Sequence, residues 1–156
     1  DDIIKSWRAI SGIDEDMDQQ FKKAVDFARE YLIRMIKKQT AKLANREQAE
    51  KIYKATKDRA VLVSEQPVSR RWFIEKPDVQ VVVHPRDDGS WMAIAVEKNK
   101  IGYETKVSFP IQWRGLREDE LQQVSGFADA IFCHKTGYLF AAKSKESVIA
   151  AAKLAN

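Results

Sequence analysis

Histidine and cysteine are scarce in this chain: of 156 residues only His84, His134 and Cys133 are of these types. Three such residues assemble no zinc or iron–sulfur spacing. Along a strand, Cys133 and His134 point to opposite faces, which disfavours a Cys–His nucleophile pair and leaves a buried thiol as the expectation. A lone thiol forms no internal disulfide, so nothing marks an oxidising compartment. An intracellular protein is expected, in the cytoplasm of a bacterium or in the nucleus or mitochondrion of a eukaryote. No apolar run approaches the ~20 residues of a spanning helix, and no membrane partner is expected. The opening Asp-Asp-Ile-Ile-Lys lacks the plan of a signal peptide, and its start without Met points to a processed or truncated chain. A glycine-rich phosphate loop and a GxSxG elbow are both missing. No repeat, low-complexity tract or Gly/Ser linker divides the sequence.

Charge, by contrast, is plentiful and uneven. Residues 1 to 20 hold six acids and two bases, and the remainder holds 25 bases and 17 acids. A basic body of this kind favours polyanions, although a merely solvated surface has the same composition. Residues 1–17 show no clean period. Ile3, Ile4, Trp7 and Ile10 could anchor them to another surface, and they read as a lead-in from a preceding lobe. The acids Asp14, Glu15, Asp16 and Asp18 fit a helix entry better than a metal cage. Residues 18–156 suit one domain.

Asp18 caps a long helix whose apolar stripe runs Phe21, Ala24, Val25, Ala28, Tyr31, Leu32, Met35 and Ile36. Asn45 with Gln48 reads as a capping box opening a second helix with Ala49, Ile52 and Tyr53 on one side. Ala60–Val63 is a short β-type run. Arg70-Arg71-Trp72 invites phosphate or stacking readings, but packing of Trp72 on the core with exposed arginines is the plainer one. Val79–Val83, a turn at Arg86–Gly89, and Trp91–Val96 form a hairpin in mid-sheet. Tyr103, Thr105, Val107 and Phe109 alternate with polar residues as a strand with one wet face. Ser144 caps a closing helix. The fold class expected is α+β: a mixed, mostly antiparallel sheet of about five or six strands flanked by helices, with a long N-terminal helix.

The most informative stretch is Ile111 to Phe140. Acids at Glu118, Asp119 and Glu120 and a stop at Gly126 define a short helix with Leu116, Leu121 and Val124 as its apolar side. A hairpin follows, Ala130–Cys133 into Tyr138–Phe140. Two polar turns flank these elements, Trp113-Arg114-Gly115 and His134-Lys135-Thr136-Gly137. Arg114 offers a fork for two phosphate oxygens, Gly115 a close backbone approach, and His134 with Lys135 stands opposite the amides opening the helix. The same residue types equally fit an Arg114 paired with a carboxylate and a His134 that satisfies a strand end.

The run FPIQWRGLREDELQQVSGFADAIFCHKTGYLFAAKSKESVIAAAKLA resembles the C-terminal end of the Myg-type family, the melanocyte-proliferating-gene proteins of the DHH phosphoesterase superfamily. FKKAVDFAREYL and the strands around Asp88-Gly89-Ser90-Trp91 extend the resemblance along nearly the whole chain. It implies a substrate-gripping C-terminal lobe of a metal-dependent, exonuclease-like phosphodiesterase acting on RNA. Trp113, Arg114 and Gly115 match the family's WRG, and His134 and Gly137 its HxxG; with Lys135, read from its type and its place beside His134, these are the candidate substrate and phosphate residues. Leu139-Phe140-Ala141-Ala142 stands where the family usually has small glycines. The HxGxFHxD and DHH motifs are absent, so the resemblance assigns this chain no catalytic residue, no metal ligand and no cofactor of its own. Mn²⁺ or another divalent metal would belong to an N-terminal DHH lobe of the same protein, which is the implied partner together with RNA or a nucleotide phosphate. The alternative is a non-catalytic protein-interaction or regulatory domain with the same fold, using Trp72 and the lead-in around Trp7.

Overall fold

A computed structural model describes residues 16–156; the lead-in with Ile3, Ile4, Trp7 and Ile10, and the acids Asp14 and Glu15, lie outside the described residues. The chain divides into two compact units, the first ending at Leu43 and the second running from Ala44 to Asn156.

Helix α1, Met17–Ala55, is continuous for 39 residues. Two helices were expected here, with Asn45 opening the second. Asn45 instead sits mid-helix and its side chain is taken by a distant loop. Its Nδ2 donates to the Pro67 carbonyl (2.8 Å), and its Oδ1 accepts from Ser69 N (3.0 Å) and Trp72 Nε1 (2.9 Å). With the amide so occupied, no cap competes with the helical backbone. In the first unit the apolar stripe faces solvent: Phe21, Leu32 and Ile36 are each about 60% exposed.

The second unit holds five strands: β1 Val61–Val63, β2 Val81–Pro85, β3 Trp91–Ala95, β4 Ala130–Cys133 and β5 Leu139–Ala142. Their order is β1-β2-β3-β5-β4. Only β1 with β2 is parallel, Leu62 facing Val82; the other pairs are antiparallel. This mixed sheet with helices confirms the α+β expectation. Central β3 is flanked by β2 and β5, as its two-sided apolar sequence requires.

Helices α2, Glu118–Ser125, and α3, Lys145–Ala152, contribute to a core with Val81, Val83, Ala93, Phe109, Trp113, Leu121, Cys133, Phe140 and Val148. A second cluster joins Ala49 of α1 to Leu62, Val68, Phe73, Val79, Val82 and Val96. Trp72 packs against this cluster, as the plainer reading had it. The two arginines beside it behave differently. Arg71 is exposed, whereas Arg70 is largely buried, donating to the Ala95 carbonyl (2.9 Å) and pairing with buried Glu97 (2.8 Å).

The strand expected over Tyr103–Phe109 does not form. One isolated bridge, Glu97 to Thr105, is all that remains of it, with Ile101 and Tyr103 almost fully exposed. The backbone here is divided among several partners: Lys106 N donates to the Val96 carbonyl, Ser108 exchanges two hydrogen bonds with Asn156, and Phe109 N donates to the Gly137 carbonyl. Lys106 also abandons the wet face. Its ammonium donates to the carbonyls of Phe73, Lys76 and Val79 at 2.6–3.0 Å. Burial lowers its pKa from the ordinary 10.5, against the opposing pull of Asp78. Val124 of α2 is half exposed, so the short helix leans on the sheet chiefly through Leu121.

Candidate functional site

The residues between Pro110 and Gly115 turn because a 3₁₀ turn at Ile111–Trp113 is followed by Gly115 at φ +82°, a left-handed conformation that favours glycine. The residues after β4 turn because Gly137, at φ +72°, closes a tight loop by donating to the His134 carbonyl (2.7 Å). Chain pairing sets the two turns side by side. Gly115 N donates to the Cys133 carbonyl (3.0 Å), Cys133 N donates to that of Leu116 (3.1 Å), and Lys135 Cβ lies 4.0 Å from where a Gly115 side chain would begin.

Trp113 is 4% exposed and belongs to an aromatic cluster with Phe109, Phe127 and Phe140 at 5.5–6.4 Å between ring centroids. Its place in the WRG segment is that of an anchor holding Arg114 at the surface. Arg114 pairs with no carboxylate among the described residues. Nε donates to the Phe109 carbonyl (3.0 Å) and Nη2 to Ser108 Oγ (2.9 Å), leaving Nη1 without a hydrogen-bond partner there. Half of the fork is therefore structural.

His134 is half-buried, its ring 4.4 Å from that of Tyr138 and 6.0 Å edge-on from Phe132. Nδ1 meets two groups of Thr136, the backbone N–H (3.2 Å) and Oγ1 (2.9 Å). Arg70, remote from this turn along the chain, lies over Tyr138, which touches the His134 ring, with its guanidinium carbon 4.8 Å from the Tyr138 centroid. Lys135 is exposed and makes no ion pair among the described residues. The first turn of α2, whose amides were expected in the set, carries three acidic residues, Glu118, Asp119 and Glu120, and no side chain caps it. Cys133, behind the turn, is fully buried, and burial pushes its thiol up to about 11 despite nearby Arg114.

Among the described residues no group of three or more His, Cys, Asp or Glu side chains is placed to hold a metal ion. Among the described residues, too, no helix is long and apolar enough to cross a membrane.

The fold and its paired turns define an α+β domain built on WRG and HxxG segments, with polar groups gathered at one end of β4. The chain belongs to the MYG1 exonuclease family, described as uncharacterised protein family UPF0160, whose profile matches residues 1–155. It is 34% identical over 87 residues to the MYG1 protein of Saccharomyces cerevisiae, covering 56% of this chain and 25% of that one. To the MYG1 exonuclease of Homo sapiens it is 31% identical over 72 residues, covering 46% and 19%. To the MYG1 protein of Dictyostelium discoideum it is 30% identical over 74 residues, covering 47% and 22%. The chain thus spans about a fifth to a quarter of the length of these curated relatives. No solved structure matches it.

Proposed function

We propose that this chain is the C-terminal, phosphate-gripping lobe of a metal-dependent phosphodiesterase of exonuclease type. The N-terminal DHH-type lobe would supply Mn²⁺ or another divalent ion, and with it the activated water. The observation that carries the reading is the juxtaposition of the two turns: Lys135 Cβ stands 4.0 Å from where a Gly115 side chain would begin and Arg114 lies over Gly137, so that Arg114, His134 and Lys135 belong to adjoining turns. These are donors and two positive charges without a matching carboxylate bonded to them among the described residues, as a phosphate oxygen requires. Family membership and the name exonuclease carried by the human relative favour a nucleotide or RNA phosphate as ligand.

The chain's own contribution is to bind and orient. Purified chain with Mn²⁺ should hydrolyse no phosphodiester, since two-metal hydrolysis needs a clustered ligand set. Titration with inorganic phosphate and with adenosine monophosphate should move the amide resonances of residues 108–117 and 132–138, and the effect should weaken as salt rises. Lys135→Ala, at an exposed unpaired residue, should bind on the order of tenfold more weakly without loss of stability. Shifts falling elsewhere, or undiminished binding by Lys135→Ala, would overturn the assignment. The second reading, a protein-docking domain, draws on the exposed stripe Phe21, Leu32 and Ile36. Trp72 gives it no support, because its indole N–H is held by Asn45.

A further inference from the structure

The two histidines meet opposite kinds of partner at Nδ1, donors at His134 and an acceptor at His84. A backbone N–H can only donate, so the Thr136 amide pointing at His134 Nδ1 (3.2 Å) requires a lone pair on that nitrogen. The Thr136 hydroxyl at 2.9 Å then donates to the same lone pair. In the neutral ring the proton must reside on Nε2. At His84 the neighbour of Nδ1 is the Pro85 carbonyl (2.8 Å), which can only accept, so there the proton is on Nδ1 and Nε2 carries the lone pair.

We infer that Thr136 is a positioning residue that fixes His134 as an Nε2–H donor, and that the turn thereby selects an oxyanion, such as a phosphate oxygen, over a metal cation. A metal-bound histidine normally donates its other ring N–H to an acceptor, which orients the ring and raises its basicity. His134 has the reverse arrangement, two donors on Nδ1, so Nε2 offers a hydrogen atom. A tilted contact with Tyr138 and an edge-on contact with Phe132 restrict rotation of the ring. Lys135, next in the chain and exposed, adds the positive charge that a neutral imidazole lacks. This inference deepens the proposed phosphate grip and rests on it for the identity of the ligand, though the tautomer itself does not.

The test is ¹⁵N NMR of the full chain labelled in histidine, at a pH well above the ordinary imidazole range. His134 should show a protonated Nε2 and a bare Nδ1, with a scalar coupling across the hydrogen bond from the Thr136 amide. His84 should show the opposite pattern in the same spectrum. Thr136→Val should raise the fraction of His134 protonated at Nδ1. Inorganic phosphate should shift Nε2 more than Nδ1. His134→Gln, whose amide reaches the Nε2 position, should retain phosphate binding within about threefold, whereas His134→Asn should lose on the order of tenfold, as one charge-assisted hydrogen bond dictates. A bare Nε2 on His134, or Asn substituting as well as Gln, would overturn the inference with the phosphate site intact. Phosphate that leaves both turns unmoved while the tautomer is as stated would instead remove the proposed grip and, with it, the selectivity argued here.

Discussion

Arg114 lies across Gly137 so closely that a methyl group on Gly137 would stand 2.6 Å from Nε and 3.1 Å from Cδ and Cζ. The arginine of the WRG segment is thus packed on the glycine of HxxG. Its hydrogen bonds to Phe109 and Ser108 keep it from moving aside. Gly115, also left-handed, has only Lys135 Cβ within reach, at 4.0 Å. Gly115→Ala should therefore cost about 1–2 kcal/mol, the left-handed penalty alone. Gly137→Ala should cost about 3 kcal/mol, since overpacking adds to that penalty. Urea unfolding of the two variants measures the difference, and equal losses would contradict the stacked geometry.

Lys106 is predicted to be a structural cation. Lys106→Met keeps the length of the side chain but leaves the carbonyls of Phe73, Lys76 and Val79 without their donor. A loss of about 2–3 kcal/mol is expected, with phosphate binding unchanged in the folded fraction. Chemical denaturation alongside the phosphate titration separates the two effects.

Acid should weaken the junction between β5 and α3. Burial raises the pKa of Asp129, but hydrogen bonds from Ser144 and Ser147 outweigh it and hold the carboxyl below its ordinary 3.8. A folded pKa below the unfolded one gives stability that is present above the unfolded value and is lost as pH falls through the folded value. Asp129→Asn should cost about 1 kcal/mol at neutral pH. The gap to the wild type should narrow steadily as pH falls below about 4, as stability curves at several pH values will show.

Cys133 should be unreactive in the folded chain. It is fully buried and its thiol is pushed up to about 11, so little thiolate forms at neutral pH and no reagent reaches it. Aromatic disulfide reagents should modify it only as fast as the second unit unfolds, and at once in denaturant. Immediate stoichiometric reaction under native conditions would contradict the core placement.

Sequence by itself determined the elements whose signals lie within one or two turns of chain. Acids followed by Gly126 set helix α2, Ser144 accepts from Ser147 N at the start of α3, and the turn before Trp91 joins β2 to β3. It also placed WRG and HxxG at turns, because glycines at positive φ are a local requirement. Tertiary structure decided what each polar group bonds to, since a donor's partner is fixed by chain segments remote in sequence. Asn45 reads as a cap but is claimed by Pro67, Ser69 and Trp72, which removes a helix boundary. Lys106 reads as solvated but finds three carbonyls some thirty residues away. Arg114 reads equally as a free fork or as the partner of a carboxylate, yet half of it is taken by Phe109 and Ser108 and it is laid across Gly137. Periodicity and capping act over one turn of helix, whereas the two turns meet only because β5 inserts between β3 and β4 and carries its leading turn against the WRG segment.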